Sequence, residues 1–166
     1  MRCFSTVLLE QEPEESYPDY FNRLYEVFCN EILNKLSIND KPVQVKKHFP
    51  EGLDREDAFY HLTCTDYNKQ LDNRVPDFNR SKRIRLIKPI VGNYFKCPSC
   101  SFNDCSSILV WQKNFKGKPR LHLYLVEMDY IVVLEERPKY FLLVTAFYVY
   151  PLKKEHYLEE HSLYAI

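Results

Sequence analysis

Three kinds of residue in this chain have types and spacings suited to chemistry. Cys97-Pro98-Ser99-Cys100, with Cys105 five positions on, has the spacing of a zinc half-site, because a tight turn brings two thiolates to one tetrahedral ion. A complete structural site needs a fourth ligand and no second CxxC follows, so a loop of free thiols is the alternative. His61 is the second kind. Its imidazole ordinarily titrates near neutrality, which suits general acid or base work, although a lone histidine is more commonly a packed or surface residue. The third is charge. The net charge is zero, yet from Arg74 to Arg120 eleven Lys and Arg stand against two acids, Asp77 and Asp104, a balance of +9, while residues 1–40 carry −5. Such a segment presents its field to a polyanion, unless the charges are dispersed over a solvated surface.

The elements that must position these groups follow from periodicity. In 120–148, Leu121, Leu123 and Leu125 alternate with His122, Tyr124 and Val126, the period of two of a strand. Short breaks at 127–129 and 135–139 predict an antiparallel meander of about four strands, counting 108–112 before it. Residues 141–148 are apolar on both faces except at Thr145 and the Tyr148 hydroxyl, as in a central strand. By parity Thr145 lies with Phe141 and Phe147, and Tyr148 on the opposite face, unless a bulge intervenes. Upstream, Ser16 and Pro18-Asp19 start a helix whose apolar stripe runs from Phe21 to Leu36 and ends near Ser37, with 39–42 as its stop. Residues 43–46 predict a short strand and 58–63 a better one, which makes His61 strand-borne. Residues 78–90 predict a short helix or an extended basic arm carrying Arg80, Lys82, Arg83, Arg85 and Lys88, and 151–163 a terminal helix. The fold class expected is α+β, with helices packed on a central antiparallel β-sheet and a C-terminal helix.

Composition bounds the rest. With 166 residues, three glycines and 15% aromatics, the chain reads as one domain over 1–166 and not as a repeat array or a disordered segment. It divides into an N-terminal helical segment (1–40), an α+β core (43–149) and a C-terminal helix (150–166). No run reaches the roughly 18 to 20 apolar residues of a membrane span, and residues 1–10 lack a secretory signal pattern. The expectation is a cytoplasmic protein with no membrane partner, whose six cysteines are free or metal-bound rather than paired.

FYHL at 59–62, RVPDFNRSKRIRLIKPI at 74–90, ILVW at 108–111 and DYIVVLEERPKYFLLVTAFYV at 129–149 resemble, in that order, the phage-associated branch of the Barnase, EndoU, colicin and RelE-like ribonuclease superfamily. The resemblance covers roughly 43–149. Its most specific pieces are the histidine followed by Arg74, Asp77, Arg80 and Arg83, and the pattern Leu134, Arg137, Tyr140, Leu142, Thr145, Ala146 and Tyr148. The Cys97 to Cys105 loop is no part of that pattern. The resemblance implies a small, toxin-like, phage- or mobile-element-associated endoribonuclease that needs no metal cofactor. It implies RNA as substrate and a cognate antitoxin or immunity protein as partner. In such an enzyme the substrate's 2′-hydroxyl attacks phosphorus, leaving a 2′,3′-cyclic phosphate, and the protein supplies a base, an acid and cations. His61 would be acid or base, Arg80 and Arg83 would hold the phosphate, and Thr145 or Tyr148 would donate a hydroxyl. Arg74, Lys82, Arg85 and Arg120 would meet RNA, with Asp77 orienting an arginine. Trp111, Tyr124 or Tyr130 would stack a base or, alternatively, fill the core. His48 and His122 are further histidine candidates. The competing class is a non-catalytic RNA- or protein-binding module with a structural zinc at Cys97, Cys100 and Cys105.

Overall fold

The computed structural model describes residues 8–68, 73–100 and 108–166. Helix α1 (Tyr17–Val27) starts where Ser16 Oγ accepts from Asp19 N at 3.2 Å, with proline in the first turn, and continues as a π-helical turn, Phe28–Ile32. Tyr20, Leu24, Phe28 and Ile32, each four residues apart, are buried to 1% exposure or less. The expected helix to Ser37 is too long. Asn34 takes a positive φ of 58°, which halts the helix, and Leu36–Ile38 becomes strand β1. The presumed stop is a hairpin turn: Asn39 and Asp40 both have positive φ, the requirement of a two-residue primed turn, and lead into β2 (Lys41–Gln44).

Residues 58–63, read as a strand, are helical. They belong to α2 (Asp57–Thr63), so His61 stands on a helix and not a strand. Every residue of α2 except His61 is buried. A helix enclosed on nearly all sides has no polar face, and the three-to-four-residue period is lost. After α2, β3 (Cys64–Asn68) pairs antiparallel with β4 (Asn73–Pro76) in a separate two-stranded sheet. The 78–90 segment resolves into α3 (Phe78–Ser81), a 3-10 turn at Ile84–Leu86 and the start of α4 (Ile87–Asn93).

The meander is present as β5 (Ile108–Phe115), β6 (Lys118–Leu125), β7 (Tyr130–Glu136) and β8 (Phe141–Tyr148), antiparallel throughout. Lys116 and Gly117, both at positive φ, close the β5–β6 hairpin. The sheet is larger than the meander and mixed: its order is β1-β2-β8-β7-β6-β5, and β2 pairs with β8 in parallel. Helices α1, α2 and α4 pack on one face over Leu123, Val132, Leu134 and Ala146. The other face holds a smaller cluster, Trp111, Tyr124, Ile131, Val133 and Val149, covered by Tyr157 and Leu158 of α5 (Pro151–Tyr164). Among the described residues no helix is long and apolar enough to cross a membrane.

Candidate functional site

Asp57, in the first turn of α2 with 8% of its side chain exposed, gathers two histidines and an arginine. Its amide donates to the His48 carbonyl (2.8 Å) and the Ala58 amide to the Lys46 carbonyl (3.2 Å), which docks segment 46–48 on the start of α2. Asp57 Oδ1 accepts from Arg74 Nη2 of β4 at 3.0 Å. Oδ2 lies 3.2 Å from Nε2 of His61, one helical turn on, and 4.0 Å from Nε2 of His48. The Arg74 guanidinium also lies 3.5 Å from Nδ1 and 3.4 Å from Nε2 of His61. Donation from Nε2–H to Asp57 selects the tautomer of His61 whose Nδ1 lone pair faces Arg74 Nη1 at 3.5 Å. The two histidines are the accessible members, with 31% of the His61 side chain and 65% of His48 exposed, while Arg74 is nearly covered. The cluster can therefore hold an oriented imidazole and a second imidazole at one carboxylate, with a guanidinium fixing both partners.

Arg80, Arg83 and Arg85 each engage groups of the protein itself. Arg80 Nη1 donates to the carbonyls of His61 (2.8 Å) and Cys64 (3.0 Å), closing the end of α2, while Asp77 caps α3 through the Arg80 amide (3.0 Å). Arg83 donates to the carbonyls of Met128 and Asn79, both at 2.8 Å, and its guanidinium carbon lies 4.3 Å from the Tyr148 ring centre. Lys82 pairs with Glu10, and Arg85 with Glu31 of the π-helical turn that follows α1.

Thr145 and Tyr148 lie on opposite faces, with Phe147 on the side of Thr145, as parity requires; only Phe141 departs from it, because a bulge precedes Thr145. Val133 pairs with Thr145 and Leu134 with Leu143, so Val144 is an extra residue. Phe141 therefore faces the helices with Leu143 and Ala146, while Phe147 lies on the α5 face with Val144. Tyr148 is on the helical side under Arg83. Thr145 lines a recess of about 310 Å³ beneath α5 with Arg120, His122 and His156. The sequence motifs thus divide between the two faces of the sheet instead of converging on one cleft.

Trp111 is fully buried, as are Tyr124 and Tyr130, so none of the three presents a ring to a nucleobase. Trp111 stacks on His122 with centroids 5.0 Å apart and donates Nε1–H to Glu160 of α5 at 3.0 Å. Burial pushes the His122 pKa below its ordinary value. Burial opposes the charge of Glu160, but its bonds from Lys113 (2.6 Å) and Trp111 outweigh that and hold its pKa low. Glu135 behaves in the same way. It is buried at the end of β7, and Arg120 and Arg137 hold its pKa down against desolvation.

Cys97 is buried with its thiol toward the Asn93 carbonyl (3.7 Å), Cys100 is exposed, and Cys105 lies outside the described residues. Among the described residues no group of three or more His, Cys, Asp or Glu is arranged to hold a metal ion.

Asp57, Glu135 and Glu160 are the functional candidates that sequence reasoning passed over. The signal for Asp57 was present as its four-residue spacing from His61, which has meaning only on a helix. Glu135, an acid at the end of an apolar strand beside Arg137, was the trace of the second cluster. Compared with protein families, with curated proteins and with solved structures, the chain finds no match.

Proposed function

We propose that the protein is an endoribonuclease that cleaves without a metal ion, with its acid–base centre at Asp57, His61 and His48. The observation that carries this reading is the 3.2 Å approach of His61 Nε2 to a carboxylate that a second histidine also reaches. His61 Nδ1, which Arg74 Nη1 faces at the long distance of 3.5 Å and must release, takes the proton of the substrate's 2′-hydroxyl, whose oxygen attacks the adjacent phosphorus. The bond to the 5′-oxygen breaks, and protonated His48 supplies the proton that the leaving oxygen needs. The products are a 2′,3′-cyclic phosphate and a 5′-hydroxyl. Arg74 is a positioning residue, holding Asp57 and the His61 ring together. A toxin-like role, with a cognate antitoxin or immunity protein, extends this reading and rests on the sequence resemblance alone.

The test is incubation of the purified protein with single-stranded RNA, with and without EDTA, followed by analysis of the fragment ends. Cyclic-phosphate ends that persist in EDTA and disappear in His61→Ala support the proposal. Equal cleavage by His61→Ala overturns the site, and RNA binding with no fragments replaces the enzyme by a binding module.

A further inference from the structure

Helix α5 covers only half of the second sheet face. Strand alternation places Lys113 and Phe115 of β5, Lys118 and Arg120 of β6, Glu135 of β7, and Leu142 and Val144 of β8 on that face. Beyond Trp111 and His122 no described residue of α5 lines this part of the face, which forms a groove of about 280 Å³. Five cations line it, Lys46, Lys116, Lys118, Arg120 and Arg137, against one acid, Glu135. The acid sits beneath the cations and is 4% exposed, with Arg120 Nε at 3.1 Å, Arg137 Nε at 2.8 Å and Lys118 Nζ at 4.0 Å. Two guanidinium groups are thereby fixed side by side before any ligand arrives, which lowers the ordering entropy that binding must overcome. Arg120 is held through Nε alone, and among the described residues no acceptor takes its amino groups.

We propose that this groove binds the phosphodiester backbone of single-stranded RNA, with Arg120 and Arg137 as a phosphate clamp that Glu135 positions. Guanidinium forks match phosphate oxygens. The charge alone would also suit an acidic peptide, but an aromatic platform lies within the groove. Phe115 is 46% exposed, and the Arg120 guanidinium lies 4.0 Å from its ring centre, a surface on which a base stacks. Only chain continuity links the groove to the acid–base centre, because α2 packs on the opposite face of the sheet. Lys46 lines it, and His48 is two residues further, a reach of at most about 7 Å, 4.0 Å from Asp57. The function of the groove as a substrate track rests on the proposed ribonuclease activity; its binding of nucleic acid does not.

Binding is measured by fluorescence anisotropy with a labelled single-stranded DNA 12-mer, which has no 2′-hydroxyl to cleave, and repeated with RNA of the same sequence. Affinity is expected to fall with salt, and Arg137→Gln and Lys118→Gln each to weaken it about three- to tenfold and to flatten the logarithmic salt slope by about 0.7. Lys153→Gln, on the outer side of α5, should change nothing, and thermal melts confirm that each variant is folded. Glu135→Gln separates positioning from charge. Removing an acid would by charge alone tighten anion binding, whereas loosened arginines weaken it, and weakening is expected. Unchanged affinity in the Arg137→Gln, Lys118→Gln double variant overturns the site, and tightening in Glu135→Gln overturns the positioning role. Competition by polyglutamate as strong as by RNA reassigns the groove to an acidic peptide, and competition by millimolar inorganic phosphate alone reduces it to a free-phosphate site. Tight, groove-dependent binding without cleavage would remove the ribonuclease reading and leave this one standing.

Discussion

Asp57 and His61 stand one turn apart on α2, with carboxylate oxygen and imidazole nitrogen 3.2 Å from each other. The pair needs no distant chain segment to form. Its orientation does, because Arg74 arrives from β4 to hold both residues.

Asp57→Asn keeps the shape of the side chain and removes the charge that Arg74 and the two histidines share. RNA cleavage is expected to fall about 100-fold, the lower end of a general acid–base contribution. The rate of cyclic-phosphate formation measures it, and a variant as fast as the parent would remove Asp57 from the site.

Arg83→Met leaves the carbonyls of Met128 and Asn79 without their donor and takes the cation from the Tyr148 ring. Unfolding in urea should show a loss of about 2 kcal/mol, the cost of part-buried acceptors left unpaired. A midpoint equal to that of the parent would mean that water replaces the guanidinium at no cost.

Trp111 is the single tryptophan of the chain and reports on α5 through its bond to Glu160. Glu160→Ala should shift the emission to longer wavelength, raise quenching by acrylamide and cost about 1–3 kcal/mol. Glu159→Ala, one position away on the exposed side, should leave the spectrum as it is.

Acid should destabilise the fold in two stages. His122 has a folded pKa below its ordinary 6.5, so the unfolded chain binds the extra proton first and stability declines as pH falls below 6.5. Glu135 and Glu160 have folded pKa values below 4.5, so their contribution is complete above 4.5 and is lost as pH drops through the folded values. Melting temperatures at pH 7.5, 6, 5 and 4 should show both declines. His122→Gln should remove the upper one; an unaltered profile would assign it to another group.

Much of this architecture is legible in local pattern. The alternation in β6, the Lys116-Gly117 turn and the Ser16 cap each depend on neighbours in sequence. The misreadings have physical causes of the same scale. Ile32 and Leu36 keep a four-residue step across Asn34, whose left-handed backbone ends the helix unseen. Residues 58–63 alternate in polarity by accident of a helix buried on almost every side. The extra Val144 inverts the parity of everything before it in β8. The site was less legible because the destinations of guanidinium groups are tertiary. Arg74, Arg80 and Arg83 are alike in sequence, yet they end on a carboxylate and an imidazole, on two carbonyls closing a helix, and on two carbonyls beneath a tyrosine.

The parallel pairing of β2 with β8 sets an order of assembly. Val43 meets Phe141 across almost a hundred residues, whereas each meander strand meets its neighbour within about thirty. Loop closure favours the short connections, so β5 to β8 should zip first and the β1–β2 hairpin should dock last, against an edge that does not exist until β8 is made. On a ribosome the N-terminal hairpin would then wait through most of synthesis for its partner strand. The Asp57 centre, which hangs on the segment just after β2, would be among the last parts of the molecule to become competent.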